Sequence, residues 1–170
     1  MLFRVTSARD QHNVACFLLL SAAMTDWKTN LINDSAGIET LLRETKTIAV
    51  LGIKPESHAG QAAFYVAAHM AEAGYDVIPV PVYYPEVTEI LGRPVFRNLA
   101  GIGRPIDMVN VFRRPSDIPP HVDDIIACKP KSVWFQLGIR NDEAAKTLAE
   151  AGIKVVQDRC LMVEEGRLRR

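Results

Sequence analysis

The segment from Gly52 to Gly60 has the residue types of a loop that binds an anion. Its sequence, Gly-Ile-Lys-Pro-Glu-Ser-His-Ala-Gly, follows an apolar run and precedes an apolar helical pattern. Free backbone N–H groups at the start of a helix bind phosphate, and glycine permits a tight turn and close backbone approach. Lys54 supplies a positive charge and Ser57 supplies a hydroxyl group. These features predict a phosphate site, although a plain strand-to-helix connection can have the same two glycines.

Two better-known phosphate-binding loops do not fit this segment. The P-loop needs Lys-Ser or Lys-Thr after its last glycine, but Gln61 follows Gly60. The dinucleotide fingerprint G-x-G-x-x-G would have Lys54 and Ser57 at its second and third glycine positions. It also expects an acidic residue at the end of the second strand, where this chain has Ile-Pro-Val-Pro. The pattern disfavours binding of NAD or NADP, but a small oxidoreductase that uses one of them remains an alternative function.

Other residues that could do chemistry show no catalytic arrangement. Cys160 is the most reactive candidate, because the arginine before it would lower the pKa of its thiol, but buried and inert cysteines are more frequent. Asp123-Asp124 and Glu164-Glu165 are adjacent pairs whose side chains point apart, so we expect surface charge. The three cysteines and four histidines show neither metal-ligand spacing nor a disulfide framework. The sequence therefore predicts no catalytic residue and no metal.

Charge and hydropathy exclude some partners. Twenty basic and twenty acidic residues cancel, so no overall positive field attracts nucleic acid or an anionic membrane. The apolar run 14–23 is weakly like a signal peptide but too short to cross a bilayer. We interpret it as part of an upstream extension, with Met24 as a natural start of the protein. The cysteine usage favours a cytoplasmic location.

The candidate groups must be positioned by alternating strands and helices. Continuous apolar runs predict strands buried on both faces, as in a parallel sheet, and the stretches between them predict helices. Ser35 is the expected cap of the first helix, and Gly74 the expected end of the second. This alternation predicts an α/β fold, a Rossmann-like doubly wound parallel sheet in a single domain of residues 35–170, after an N-terminal extension of residues 1–34. The predicted strands are 47–51, 75–80, 106–112, 132–137 and 153–157, and the predicted helices are 36–44, 61–73, 117–128 and 141–152.

The ordered set of segments resembles a known family. It is similar to the small stand-alone CoA-binding domain proteins, whose fold is that of the N-terminal domain of the succinyl-CoA synthetase alpha subunit. The resemblance departs from the family in the first loop, where His58-Ala59-Gly60-Gln61 replaces the Arg-Pro-Ser of many members. The stretches that carry the resemblance are residues 48–52, 74–80, 90–95, 107–114, 133–139 and 155–164.

The resemblance implies a site for coenzyme A beyond the carboxyl ends of the strands. It implies pyrophosphate contacts at the carboxyl end of predicted strand 47–51, adenine contacts at that of strand 75–80, phosphate contacts at that of strand 106–112 and pantetheine contacts at that of strand 132–137. In that order, the residues are Gly52, Ile53, Lys54 and Gly60; Val80 and Pro81; Phe112, Arg113 and Arg114; and Gln136, Leu137 and Gly138.

The expected function is binding of coenzyme A or an acyl-CoA by a non-catalytic binding or regulatory module. A nucleotide-dependent oxidoreductase and a partner subunit of a CoA ligase are the alternatives. The acyl group, a partner protein and the oligomeric state are not determined by the sequence.

Overall fold

Five parallel strands form the central sheet of the computed structural model, which describes residues 26–169. The strand order is β2-β1-β5-β6-β7, and every neighbouring pair is parallel. Two very short strands, β3 and β4, form a separate antiparallel hairpin. The bounds are β1 Thr47–Leu51, β2 Asp76–Val80, β3 Glu89–Ile90, β4 Arg93–Pro94, β5 Met108–Val111, β6 Ser132–Phe135 and β7 Lys154–Val156.

Helices cover both faces of the sheet. Buried residues of α1, α2 and α5 form one apolar cluster against the sheet, and those of α3 and α4 form the other. This arrangement confirms the predicted α/β, Rossmann-like single domain. The bounds are α1 Ser35–Glu44, α2 Ala62–Glu72, α3 Val122–Cys128, α4 Asp142–Glu150 and α5 Leu161–Leu168.

The apolar runs of the sequence are explained by burial on two sides. In β1, Ile48 and Val50 belong to the cluster with α1, α2 and α5, whereas Ala49 and Leu51 belong to the other cluster. Successive side chains of a strand point to opposite faces, so a central strand needs apolar residues at every position. The predicted bounds of β1 are confirmed residue for residue.

Both edges of the sheet are partly covered. At the β2 edge, the Phe96 N–H donates to the Pro79 carbonyl at 2.9 Å. At the β7 edge, the Ile32 N–H donates to the Val155 carbonyl at 2.9 Å, so residues before 35 contact the sheet. Covered edges do not offer unpaired backbone groups to another chain. The boundary at residue 35 stays a prediction, and the apolar run 14–23 and Met24 lie outside the described residues.

Several local predictions were wrong. The N-cap of α1 is Asp34, whose side chain accepts from the Gly37 N–H, not Ser35. Helix α5 was not predicted. Glu164 and Glu165 lie on it and are buried rather than exposed. Their burial is possible because Arg159 and Arg167 pair with Glu164, while His69 and Arg169 pair with Glu165.

Within residues 26–169, none of the helices combines the length and the apolar composition that a membrane span requires.

Candidate functional site

The strand order reverses between β1 and β5. The chain passes from β1 outward to β2 on one side, and all later strands of the sheet follow from β5 on the other side. The connections after these two strands therefore diverge, which opens a crevice at their carboxyl ends. Gly52 follows β1, and Phe112 and Arg113 follow β5. The topology thus brings together the glycine and the arginine to which the family resemblance assigns phosphate contacts.

Gly52 lies at the closest approach of the two connections. Its N–H donates to the Val80 carbonyl at 2.8 Å, and the Phe112 N–H donates to the Leu51 carbonyl at 2.9 Å. Its φ is +87°, and a Cβ at this position would lie 2.4 Å from the Phe112 carbonyl oxygen. A side chain here is excluded by the backbone itself, whether or not a ligand is bound. The half-buried Phe112 ring packs on the cluster that contains α1, α2 and α5.

Arg113 is a buried cation with few partners. Its side chain is only 11% exposed, and its guanidinium lies 3.6 Å from an Asp117 carboxylate oxygen, beyond hydrogen-bond distance. Its buried Nε has no hydrogen-bond partner among the described residues. The guanidinium carbon lies 5.1 Å from the centre of the Tyr83 ring, within the range of a cation–π interaction. Arg114, by contrast, is exposed.

The start of α2 lies beside Lys54. The Lys54 ammonium is hydrogen-bonded to the Gln61 side-chain oxygen, and Gln61 is the N-cap residue of α2. The Gln61 side chain makes no capping hydrogen bond, so among the described residues the Ala62 and Ala63 N–H groups are uncapped, whereas the Phe64 N–H donates to the Gln61 carbonyl at 2.8 Å. Ile53, which precedes Lys54, is 1% exposed, and its side chain belongs to the core. The charge of Lys54 and the amides of α2 are therefore neighbours, whereas the Ile53 side chain is not presented to the crevice.

The middle of the first loop is exposed. The Ser57 hydroxyl lies 3.0 Å from His58 Nδ1, and the His58 ring packs against Tyr84 with ring centres 5.2 Å apart. Gly60 is also exposed, and a Cβ built on it would meet no atom within 4 Å. Unlike Gly52, Gly60 is not required by the fold.

The end of β2 presents different residues from those assigned to adenine. Val80 and Pro81 are buried, and Val80 belongs to the core cluster. The first exposed side chains after the strand are Val82 and Tyr83, with Tyr83 60% exposed. Arg97 fixes the segment that follows, because its guanidinium donates to the carbonyls of Tyr84, Pro85 and Val87.

The three residues assigned to the pantetheine arm are in different environments. The Gln136 side chain is buried, where its Nε2 donates to Asn110 Oδ1 at 2.9 Å and its Oε1 accepts from the Leu161 N–H at 3.3 Å. The next residue, Leu137, is 68% exposed. Gly138 has a φ of +79°, and its N–H donates to the Asp158 carboxylate at 2.7 Å. Only Leu137 presents an apolar side chain to solvent beyond this strand.

A small cavity lies beside the crevice on the α3 side. Its volume is about 120 Å³, and its walls include Leu51, Val82 and His121. Burial lowers the pKa of His121, and the positive charge of Arg113 lowers it further. A neutral imidazole beside Arg113 leaves that cation without a second like charge. A larger hollow of about 560 Å³ lies at the opposite end of the sheet, near Lys46 and Tyr75.

Two residues near the crevice were not found by sequence reasoning. Tyr83 belongs to no motif of the sequence, and His121 falls within the predicted helix 117–128. No local pattern marks either, because their proximity to Arg113 depends on the pairing of β2, β1 and β5. Within residues 26–169, no three His, Cys, Asp or Glu side chains are placed to hold a metal ion. Cys160 is half-buried at the N-cap position of α5.

Known proteins share this chain's sequence and fold. Residues 46–166 match the family described as the CoA binding domain. The uncharacterized protein YneT of Bacillus subtilis (strain 168) is 35% identical over 128 residues, covering 75% of this chain and 91% of YneT. The cell-free ID.343 protein from Thermus thermophilus is 40% identical, with a TM-score of 0.73 over 80% of this chain and 99% of that one. A hypothetical protein from Pyrococcus horikoshii OT3 is 34% identical, with a TM-score of 0.73 over 81% of this chain and 94% of that one. The match of residues 46–166 to the family model, together with these relatives, shows that the protein belongs to the CoA binding domain family.

Proposed function

We propose that this protein binds coenzyme A or an acyl-CoA in the crevice beyond β1 and β5, as a binding or regulatory module that does not turn the ligand over. The observation that carries the proposal is Arg113. Arg113 is largely buried, its carboxylate neighbour Asp117 lies 3.6 Å away and its Nε has no partner among the described residues, so it keeps hydrogen-bonding capacity for an anion. Coenzyme A offers a pyrophosphate and a ribose phosphate, which an arginine binds with strong, charge-assisted hydrogen bonds.

The surroundings of Arg113 support a ligand with both charged and apolar parts. Lys54 and the uncapped amides of α2 are suited to a pyrophosphate. On the other side of the crevice, the exposed Leu137 beyond β6 is suited to the less polar pantetheine arm. The buried side-chain amide of Gln136 supports this side through its hydrogen bonds to Asn110 and to the Leu161 N–H.

A titration with four ligands tests the proposal. Coenzyme A, acetyl-CoA, NAD and NADP are each added to the purified full chain, and binding is measured by calorimetry. We expect binding of coenzyme A and acetyl-CoA in preference to NAD and NADP. Binding of NAD or NADP with no binding of coenzyme A would overturn the proposal and favour the oxidoreductase alternative.

The non-catalytic part of the proposal has its own test. Acetyl-CoA is incubated with the protein, and free thiol is measured over time against a protein-free sample. We expect no acceleration of thiol release. Thiol release that rises in proportion to the protein concentration would contradict a binding module and would call for a search for the nucleophile.

A further inference from the structure

Tyr83 is an aromatic residue whose exposure is not explained by the packing of the fold. Its side chain is 60% exposed, although it lies only three residues after the buried end of β2. One side of its ring is covered by the Arg113 guanidinium, whose central carbon lies 5.1 Å from the ring centre. Much of the rest of the ring is open to solvent within the part of the chain that the structure describes.

The position of Tyr83 is fixed by its neighbours on both sides. Before it, Val80 and Pro81 are buried. After it, Arg97 donates hydrogen bonds to three carbonyls between Tyr84 and Val87. A ring held in this way loses little conformational freedom when a ligand stacks on it, so the stacking free energy is retained in the affinity.

The pairing with Arg113 links this ring to the charged part of the site. Arg113 lies at the end of β5, beside the β1 connection, and its Nε has no partner among the described residues. A ligand phosphate that meets the guanidinium would place the adjoining nucleoside within reach of the neighbouring ring. Purines stack well on aromatic side chains because each base has a flat π-face.

From this geometry we infer that Tyr83 is the base-stacking residue of the site: its open face holds the adenine of the ligand while Arg113 binds a phosphate. This inference rests on the proposed function and deepens it, since it assigns the nucleotide half of the ligand to Tyr83 and Arg113. It replaces the adenine contacts predicted at Val80 and Pro81, whose burial leaves them little surface for a base.

The test compares three ligands on three proteins. Coenzyme A, adenosine 3′,5′-bisphosphate and 4′-phosphopantetheine are titrated into the parent, Tyr83→Ala and Tyr83→Phe. The first two ligands carry the adenine, and the third does not. We expect Tyr83→Ala to bind the two adenine ligands about ten- to a hundredfold more weakly. Tyr83→Phe keeps the ring and should bind them within about threefold of the parent.

The contrast between ligands separates stacking from general damage. Binding of 4′-phosphopantetheine should be the same in Tyr83→Ala and the parent, and the melting temperatures of the free proteins should agree because the side chain is largely exposed. Equal binding of coenzyme A by the parent and Tyr83→Ala would overturn this inference alone. Stronger binding by Tyr83→Ala would also overturn it, and would show that the ring blocks Arg113. Failure of the parent to bind coenzyme A would overturn the proposed function itself.

Discussion

Charged side chains at the two ends of the parallel sheet differ in how completely they are paired. At the amino ends of the strands, Asp76 is bonded to Arg93 and Arg104. In the same region, Asp107 accepts from the N–H groups of Lys46 and Thr47, each at 3.0 Å, and pairs with Lys131. At the carboxyl ends, Arg113 has an unpartnered Nε among the described residues and a carboxylate no closer than 3.6 Å.

This difference separates charges that stabilise the fold from a charge that is available to a ligand. A carboxylate bonded by backbone N–H groups and a cation has its hydrogen-bonding capacity used within the fold. A buried guanidinium with a free donor keeps part of its capacity for another molecule. Substitutions at the two ends should therefore have different consequences for stability and for binding.

The largest expected effect is at Gly52. Gly52→Val places a side chain against the Phe112 carbonyl and imposes a φ of +87° on a β-branched residue. We expect the free energy of unfolding to fall by about 3 kcal/mol or more. Urea unfolding of the free protein measures the loss.

Gly60→Ala is the matched control at the other end of the same loop. Its new methyl group meets no atom within 4 Å, so the free energy of unfolding should change by no more than about 1 kcal/mol. A reduced affinity for coenzyme A in Gly60→Ala with unchanged stability would place the ligand beside this glycine. Equal stability of Gly52→Val and the parent would contradict the backbone argument.

The next effect compares Arg113 with Asp107. Arg113→Met removes a cation whose Nε has no partner among the described residues and puts an apolar side chain in its place, so coenzyme A affinity should fall about ten- to a hundredfold while stability is kept. Asp107→Asn weakens the bonds to two backbone N–H groups and to Lys131. It should lower the free energy of unfolding by about 1–3 kcal/mol and leave the affinity unchanged.

For each of the two variants, calorimetry measures the affinity for coenzyme A and urea unfolding measures the free energy of unfolding. The comparison between the two ends of the sheet fails if Arg113→Met loses stability as Asp107→Asn does, or if Asp107→Asn loses affinity as Arg113→Met does.

A smaller effect is expected at Lys54. Its ammonium is already bonded to Gln61 and is half-buried, so it contributes one charge that solvent partly screens. Lys54→Ala should weaken coenzyme A binding by about tenfold and leave the melting temperature of the free protein unchanged. If Lys54→Ala binds as the parent does while Arg113→Met does not, the phosphate charge is met from β5 alone.

The smallest effect is a dependence of stability on pH that differs between the two ends. Burial and Arg113 lower the pKa of His121 below its ordinary value near 6.5. Its contribution to stability is therefore full above about pH 6.5 and is lost as the pH falls through the lower, folded-state pKa. We expect the melting temperature to decline slightly in this range, and His121→Asn should abolish that decline.

The carboxylates at the other end act at lower pH. Bonds from Arg104 and Arg93 lower the pKa of Asp76. Burial would raise the pKa of Asp107, but bonds from Lys131 and from the Thr47 and Lys46 N–H groups lower it overall. Their contributions are full above about pH 4, the ordinary carboxyl pKa, and are lost as the pH falls through the lowered values. A melting temperature that falls only below pH 4, with no His121-dependent decline above it, would contradict the expected difference in pH dependence between the two ends of the sheet.

Much of the fold followed from local sequence. The apolar run at 47–51 gave β1 its bounds, Asn141 caps α4 by accepting from the Ala144 N–H, and Gly74 ends α2 with a φ of +96°. Each of these features depends on residues within a few positions of one another, so a single segment carries the whole signal. Helix α5 was not predicted because Glu164 and Glu165 can be buried only when basic side chains pair with them, and some of these, such as His69, lie far away in the sequence.

In the candidate site, too, some features followed from local sequence and others only from the tertiary structure. The sequence by itself determined that a glycine and a lysine follow the first strand and that two arginines follow the strand now labelled β5. Only the tertiary structure decided which arginine is largely buried, that the Gln136 side chain bonds to Asn110, and that Tyr83 packs against Arg113. The last two contacts join residues 26 and 30 positions apart, which lie at or just beyond the carboxyl ends of different strands. Their geometry is set by strand order and register, which no local pattern of side chains encodes.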